Sequence, residues 1–366
     1  MFFFEGITVR NFKSLNCVTF GVDKHGFGKP LTNITCCVGA PNSGKSNFLD
    51  LFQFIFEVNN YGLKSALYRR GGIESVRTRG KQSPIEFDFA LSDIFGNKYR
   101  YVLSFDINDR GNIVRKDRIT ARPSLGATEL KDFSTNVPKL FDRLYVPQFT
   151  EKGLRTTFLD FPPHDLTESG NNFVYVMKGR AGFTKTAQFF ASRILQPLGL
   201  KNYSVNVEYI DGDTDKCLQK FTCFTDKDVC CTTEDNRDTL STNALKYIAY
   251  IVLCKCLHSF SVVCMETPEQ GIYHTLVSEM TEALKSSATE ERKSIFMTTH
   301  SQFVLSELRD EDVFVFYRNC HGHTEVKRAN DIPYIHKQMQ DGNNLGYLWS
   351  QRKLHPLDDE GNFPEE

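Results

Sequence analysis

The 366-residue chain has no long apolar segment and no excess of charge of either sign. Its longest apolar run, at positions 247–254, is much shorter than the roughly 20 residues that cross a bilayer, so we expect no transmembrane helix. The beginning of the chain reaches Glu5 at once and has no basic region, so no signal peptide is predicted. These absences predict a cytoplasmic protein that does not bind membranes.

The charge balance limits the kinds of partner. Lys and Arg number 44 and Asp and Glu number 45, which gives a net charge of −1 and excludes a strongly basic nucleic-acid coat protein. A local basic stretch is nevertheless present, because Lys and Arg residues are interleaved with glycines between positions 64 and 81. The default interpretation is a solvated face, and the alternative is a groove for a phosphodiester backbone or an acidic protein.

The eleven cysteines follow no metal-binding or redox pattern. The absence of a CxxC pair excludes a zinc ribbon and a thioredoxin-like site, and several cysteines lie in apolar runs, where a thiol acts as a small hydrophobe. We therefore predict reduced core cysteines. The segment Cys320-His-Gly-His323 has no second ligand pair at zinc spacing and is predicted to form a hairpin turn.

Short apolar segments alternate with helical patterns along the chain, without an internal repeat, a low-complexity tract or a heptad run. The apolar segments are strand candidates at 34–38, 261–265, 294–297 and 313–317. Strands that alternate with helices predict an α/β fold with a largely parallel core sheet. The absence of heptads excludes a long coiled coil.

The remaining patterns predict how the chain is divided. Residues 84–120 alternate like a β-meander, and residues 184–195 have the spacing of a helix. We expect a first lobe at 1–140, a mixed and helical insert at 141–235, and a second lobe at 236–366.

The strand candidate at 34–38 runs into a complete Walker A sequence, GxxxxGKS, and apolar residues at helical spacing follow it. Backbone N–H groups of such a loop surround phosphate oxygens at the positive end of the helix dipole. Lys45 would reach the β- and γ-phosphates, and the Ser46 hydroxyl would bind Mg²⁺. The sequence thus predicts a site for ATP and Mg²⁺. Its predicted nucleotide-binding residues are Gly39, Pro41, Asn42, Ser43, Gly44, Lys45, Ser46 and Asn47.

Further segments, in the right order, resemble the motifs of RecF/SMC/OLD-type ABC ATPases. The Walker A segment GAPNSGKSN looks like their usual GPNGSGKSN. The other segments are NFKSL at 11–15, LSTNALK at 240–246, ETPEQGI at 266–272, TTHS at 298–301 and LGYLW at 345–349. The resemblance covers nearly the whole chain. It implies a P-loop ABC ATPase head with a mixed core sheet, a β-meander subdomain and a small helical insert.

The resemblance also implies roles for single residues. In that family two heads enclose two ATP molecules, so Ser241 would contact the γ-phosphate bound by the partner copy of a homodimer. Such homodimers could also form part of a higher oligomer. Asn243 replaces a glycine of this signature motif. His300 would sense the γ-phosphate, and Gln148 would sense Mg²⁺ and the attacking water. From the residues alone, Ser241 also fits a helix N-cap, and Gln148 also fits an incidental residue after an edge strand.

The segment at 266–272 predicts slow hydrolysis. Aligned on Pro268, Glu266 takes the position of the carboxylate that binds Mg²⁺ through water, and Thr267 takes that of the catalytic glutamate. Threonine cannot act as a general base near neutral pH, and loss of such a base costs about 10²–10⁴-fold in rate. Glu269 either replaces that base, holds the turn, or is a solvated turn residue.

With no coiled coil, the chain resembles the compact ATPase subunits of antiphage defence systems, of OLD-like and PARIS type. That resemblance implies a sensor or scaffold that controls a separate effector, a nuclease or a toxin. One alternative is a RecF-like repair or recombination ATPase that binds duplex DNA through the basic stretch. Another is a P-loop kinase for a small metabolite, in which the signature and histidine motifs would be accidental.

Overall fold

The structure, a computed structural model, describes residues 2–108, 110, 112–122, 138–160, 163–179, 196–200, 202–210, 213–224, 229–232 and 240–355. The chain forms two compact units. The first contains Met1–Leu144, Ser261–Pro268 and Arg292–Glu366, and the second contains Tyr145–Phe260 and Glu269–Glu291. This division differs from the three consecutive segments expected from the sequence, because the chain returns twice to the first unit.

The described strands are β1 (Phe2–Phe12), β2 (Leu15–Gly21), β3 (Ile34–Gly39), β4 (Ile85–Asp93), β5 (Lys98–Ile107), β6 (Ile113–Arg122), β7 (Leu144–Tyr145), β8 (Phe158–Asp160), β9 (Asn202–Ile210), β10 (Asp213–Phe224), β11 (Val229–Thr232), β12 (Val262–Glu266), β13 (Ser294–Thr298), β14 (Val313–Arg318) and β15 (Thr324–Arg328). The described α-helices are Lys45–Tyr61, Leu63–Tyr68, Ile73–Val76, Glu151–Leu154, Phe173–Gly179, Thr242–Cys256, His274–Glu290, Gln302–Ser306, Pro333–Gln340 and Leu345–Ser350. Short 3₁₀ turns lie at Pro138–Phe141, Leu257–Ser259, Asp310–Asp312 and Ala329–Asp331.

The meander predicted at 84–120 is confirmed. Strands β4, β5 and β6 are antiparallel neighbours and belong to a five-stranded sheet in the order β2-β1-β4-β5-β6. Ile85, Phe87 and Phe89 alternate along β4, and all three are fully buried. Because side chains alternate between the faces of a strand, this spacing places the three apolar residues on one buried face.

The predicted parallel core sheet is also confirmed. Its strand order is β15-β14-β3-β13-β12-β7, where β14, β3, β13 and β12 are parallel and β15 is antiparallel to β14. All six residues of β3 are buried, as is typical of a strand covered on both faces. The carboxyl ends of parallel strands meet at one edge of a sheet, so the segments after Gly39, Glu266 and Thr298 share an edge.

Phenylalanine side chains form much of the core of the first unit. Along the helix Lys45–Tyr61, Phe48 and Phe52 lie four residues apart and are fully buried. The Phe48 ring stacks on Phe20 of β2 at 4.1 Å, and the Phe52 ring stacks on Phe296 of β13 at 4.4 Å. Burying each ring contributes about 2–3 kcal/mol. This packing fixes the helix that follows the Walker A loop.

The second unit has its own antiparallel sheet, in which β10 pairs with β8, β9 and β11. Its helix Thr242–Cys256 follows Ser241, which was predicted to fit a helix N-cap, and the helix is apolar and buried around most of its circumference. It packs against the helix His274–Glu290. The helix predicted at 184–195 lies outside the described residues.

Two cysteines differ from the prediction of a wholly buried set. Seven of the described cysteines are buried, whereas Cys17 and Cys320 are exposed. Cys17 lies on the outward face of β2, and Cys320 lies in the turn that joins β14 to β15, which is the hairpin turn predicted there. The side chains of Cys230 and Cys231 are outside the described part of the chain. None of the helices described is both long and apolar enough to span a bilayer.

Candidate functional site

The Walker A segment forms a tight loop between β3 and the helix that begins at Lys45. Glycine is required at both ends of the loop: a Cβ at Gly39 would lie 2.2 Å from the Phe316 carbonyl oxygen, and one at Gly44 would lie 2.2 Å from Thr324 Oγ1. Asn42 has φ of +62°, the left-handed conformation that asparagine tolerates better than most residues. The loop is therefore held close to the neighbouring strands.

Lys45 folds back over this loop. Its Nζ donates hydrogen bonds to the carbonyl oxygens of Gly39 at 2.9 Å and Ala40 at 2.8 Å. Burial lowers the pKa of Lys45, and the nearby Glu266 carboxylate opposes that shift. The N-cap residue of this helix, Gly44, provides no side-chain cap, so the first N–H groups of the helix face the loop. A buried cation and open helix N–H groups fit a phosphate chain.

Ser46 and Glu266 meet beside the loop. The Ser46 hydroxyl donates a hydrogen bond to a carboxylate oxygen of Glu266, the last residue of β12. Both side chains are exposed, and hydroxyl and carboxylate oxygens are the ligands that Mg²⁺ prefers. The residues at this edge of the first unit thus fit ATP through Lys45 and Mg²⁺ through Ser46 and Glu266.

Thr267, which directly follows Glu266, has an unusual backbone conformation. Its φ is +44°, a left-handed conformation that costs a β-branched residue about 1–3 kcal/mol. The Thr267 N–H points to Thr298 and lies 3.1 Å from its carbonyl oxygen and 3.2 Å from its Oγ1. The turn after β12 is thus strained and presents a hydroxyl where the resemblance places a catalytic carboxylate.

His300 lies at the same sheet edge as the Walker A loop. It follows β13, its side chain is exposed, and the neighbouring Thr299 N–H donates to the Cys37 carbonyl oxygen of β3 at 3.2 Å. His300 lines a cavity of about 730 Å³ together with Ala40 and Pro41 of the loop. The structure therefore brings Lys45, Ser46, Glu266 and His300 to one edge of the first unit.

The residues of the β14–β15 hairpin that hold the loop were not predicted from the sequence. Thr324 Oγ1 donates to the Ser43 carbonyl oxygen at 2.8 Å, and Arg318 Nε donates to the Asn42 carbonyl oxygen at 2.8 Å. Thr324 also contacts Ser14 Oγ at 2.8 Å. The Ser14 hydroxyl in turn accepts from the side chain of Asn47, at 2.7 Å. No local pattern could have revealed Thr324, since 281 residues separate it from Ser43.

Gln148 and Glu269 belong to the second unit. Gln148 has an exposed side chain, and its N–H donates to the Glu168 carbonyl oxygen at 2.8 Å. Glu269 lies in the turn after β12 and is half-buried, and its role as base, turn residue or solvated side chain stays a prediction. Burial is the main reason that the pKa of Tyr250 is raised, and the charge of Glu269 adds to the shift. The Tyr250 ring packs 4.9 Å from Phe149, which follows Gln148.

Ser241 caps the helix Thr242–Cys256, as one of its two interpretations predicted. Its hydroxyl accepts a hydrogen bond from the Ala244 N–H at 3.2 Å, and the residue is exposed. Arg155 supports this helix start by donating to the Leu240 carbonyl oxygen at 2.9 Å. Asn243 is a helical residue and does not use the left-handed conformation of a glycine. The contact of Ser241 with a partner's γ-phosphate stays a prediction.

The basic stretch is not one continuous charged surface. Arg70 forms ion pairs with Asp50 at 2.7 Å and Glu57 at 2.5 Å, and its side chain is 11% exposed. The side chain of Arg77 is only 5% exposed and lies 3.5 Å from Asp106. The basic side chains that remain exposed in this stretch are Lys64, Arg69, Arg79 and Lys81.

The sequence is similar to one family model and to no curated protein. Residues 34–170 match the model described as "AAA domain, putative AbiEii toxin, Type IV TA system". No curated protein sequence matches the chain.

Solved structures show which fold these elements form. An SMC head bound to the C-winged-helix domain of ScpA has a TM-score of 0.50 at 14% identity, over 89% of this chain and 97% of that one. The SMC head domain from Thermotoga maritima has a TM-score of 0.49 at 11% identity, over 89% and 98%. The Pyrococcus furiosus head with an extended coiled coil, bound to the C-terminal domain of ScpA, has a TM-score of 0.49 at 12% identity, over 93% and 100%. The likeness with a TM-score of 0.50 shows that the chain has the fold of an SMC head domain, and residues 34–170 are similar to an AAA domain.

Proposed function

We propose that this protein binds ATP with Mg²⁺ and hydrolyses it slowly. The observation that carries the proposal is the contact of Ser46 with Glu266 beside a Walker A loop whose Lys45 is buried. A hydroxyl, a carboxylate and a buried ammonium group at a helix N-terminus together fit a magnesium-bound triphosphate.

Slow turnover is expected from the residue after Glu266. Thr267 has no group that accepts a proton near pH 7, whereas an ordinary enzyme turns over about 10 times per second with its base in place. Losing 10²–10⁴-fold of that rate leaves roughly 0.001–0.1 per second. Glu269 is the other carboxylate of this segment and supplies a base only if its side chain reaches the attacking water.

We further propose that two copies close around two ATP molecules, with Ser241 of each copy contacting the nucleotide of the other. Because hydrolysis is slow, the ATP-closed dimer is long-lived and suits a sensor or scaffold that holds or releases a separate effector protein. The motif resemblance to ATPase subunits of OLD-like and PARIS-type antiphage systems supports this role. The similarity of residues 34–170 to a family whose description includes a putative toxin also supports it.

A RecF-like ATPase that binds duplex DNA is the second candidate. It would use the exposed Lys64, Arg69, Arg79 and Lys81, since the side chains of Arg70 and Arg77 are largely buried. Four surface charges give a modest dependence of binding on salt, with a slope no steeper than about −4 in log K against log salt.

Mass measurement and turnover of the full-length protein test these proposals together. Light scattering after gel filtration should show a dimer with ATP and Mg²⁺ that reverts to a smaller species with ADP. Hydrolysis should fall in the range given above. Duplex DNA that stimulates hydrolysis at low salt would favour the RecF-like role, and co-purification of a co-expressed neighbouring protein would favour the effector role. A mass that is the same with ATP and with ADP would contradict the proposed ATP-dependent dimer.

A further inference from the structure

The helix Leu345–Ser350 packs closely against the helix Gln302–Ser306, which begins just after His300. The approach depends on Gly346, where a Cβ would lie 2.1 Å from Ser306 Oγ and 2.2 Å from the Gln302 carbonyl oxygen. Leu345 and Leu348 on the same helix are fully buried. This packing fixes where the end of the helix Leu345–Ser350 lies relative to His300.

Trp349, at that end, reaches the backbone of His300. Its indole Nε1 donates a hydrogen bond to the His300 carbonyl oxygen at 2.9 Å, and the centroids of the two rings are 6.2 Å apart. Trp349 is only half-buried, whereas the neighbouring leucines are fully buried. The burial that stabilises the helix therefore comes from the leucines, and the polar atom of Trp349 is directed to the segment that carries His300.

His300 needs such support because its backbone lies outside regular structure, between the end of β13 and the cap residue Ser301. On one side, the Thr299 N–H donates to Cys37 of β3 at 3.2 Å. On the other, the Ser301 N–H donates to Thr299 Oγ1 at 3.0 Å. The Trp349 bond adds an anchor at the His300 carbonyl itself.

We infer that Trp349 is a positioning residue for His300: it holds the histidine backbone so that the imidazole stays beside the Walker A loop, where both side chains line the cavity with Ala40 and Pro41. This inference rests on the proposed ATPase function. A displacement of about 1 Å in a group that contacts a reacting phosphate is enough to lower the rate strongly, even when nucleotide affinity is unchanged.

The single tryptophan of the chain permits a test at one atom. Biosynthetic replacement of Trp349 by 3-benzothienylalanine substitutes sulfur for the indole N–H and leaves the ring shape nearly unchanged. We expect kcat to fall about three- to tenfold, the loss that one hydrogen bond supports, with KM for ATP unchanged and the thermal unfolding midpoint lowered by no more than about 2–4 °C. Trp349→Phe should lower kcat in the same direction. Tyr347→Phe, on the exposed side of the same helix, is the matched control and should leave kcat unchanged.

The His300→Ala background separates positioning from general stability. If Trp349 acts through His300, the benzothienyl replacement should have no further effect on kcat in that variant. An equal loss with and without His300, or a full kcat in the benzothienyl protein, overturns the inference. Natural protein that neither binds nor hydrolyses ATP contradicts the proposed function and the inference with it, whereas active natural protein with an insensitive analogue contradicts the inference alone.

Discussion

Ser46 donates a hydrogen bond to a carboxylate oxygen of Glu266, 220 residues further along the chain. Ser46 lies in the first turn of the helix after the Walker A loop, and Glu266 ends strand β12. The contact exists because β3 and β12 are parallel strands of one sheet, separated only by β13, so their carboxyl ends open onto the same edge.

Lys45→Ala should abolish nucleotide binding. The variant removes a buried ammonium group from the position where phosphate charge is expected, and the loss of such a partner lowers affinity by at least about 30-fold. Isothermal titration with ATP and Mg²⁺ measures the affinity, and light scattering should show that ATP no longer changes the mass. Lys64→Ala, which removes an exposed lysine, should bind ATP like the natural protein. Normal binding by Lys45→Ala would disprove the assignment of the loop.

Thr267→Glu should raise the rate of hydrolysis about 10²-fold or more, because it supplies the general base that the position lacks. Single-turnover measurements with labelled ATP report the chemical step. Thr267→Gln introduces a side chain of nearly the same size as glutamate but without a base, so its hydrolysis should stay slow. If Thr267→Glu changes nothing while Glu269→Gln removes the residual activity, Glu269 is the working base and the alignment on Pro268 is wrong.

Thr324→Val should weaken ATP binding about three- to tenfold, since the Ser43 carbonyl oxygen loses its donor and the loop is less preorganised. Stability should also fall by about 1–3 kcal/mol, because a buried polar group loses its partner. Thr8→Val is the matched control, because Thr8 is also buried and its hydroxyl contacts Thr19 Oγ1 at 3.0 Å, between β1 and β2 of the five-stranded sheet. The control should lose stability but bind ATP normally. Equal ATP affinities for both variants would contradict a role of Thr324 in shaping the loop.

Asp50→Asn should remove part of the acid sensitivity of folding. Burial alone would raise the pKa of Asp50, but hydrogen bonds from Arg70 and Lys13 lower it overall. A carboxyl whose pKa is lowered by folding stabilises the protein above its unfolded pKa of about 3.9, and this contribution is lost as the pH falls below that value toward the folded pKa.

Urea unfolding between pH 7 and pH 2.5 measures this effect. At pH 7 the Asp50→Asn variant should be about 2 kcal/mol less stable than the natural protein, and the difference should shrink as the pH falls below about 4. Asp341→Asn, at an exposed helix end, should follow the natural protein throughout. A difference that is constant with pH would exclude ionised Asp50 as its source.

Local patterns were enough to predict much of the architecture. The alternation of Ile85, Phe87 and Phe89 predicted the meander because strand periodicity depends only on neighbouring residues. The glycines of the Walker A loop predicted the turn between β3 and its helix for the same reason. Ser241 was expected at a helix start, and its hydroxyl caps that helix.

The basic stretch shows a property that local patterns do not predict, which is the exposure of each charged side chain. In sequence, Arg70 and Arg77 are indistinguishable from their exposed neighbours, yet Arg70 is neutralised by Asp50 and Glu57 of another helix and Arg77 is buried. Whether a charged side chain faces solvent depends on what packs beside it. A run of like charges is therefore weak evidence for a binding surface.

By itself the sequence determined the phosphate-binding loop, the alternation of strands and helices, and the threonine that stands where a base is expected, because each is written in consecutive residues. Only the tertiary structure decided that Ser46 meets Glu266, that Thr324 holds Ser43, and that Trp349 reaches His300. Such contacts join residues that are distant in sequence, and the order of the strands and the packing of the helices set which of them meet.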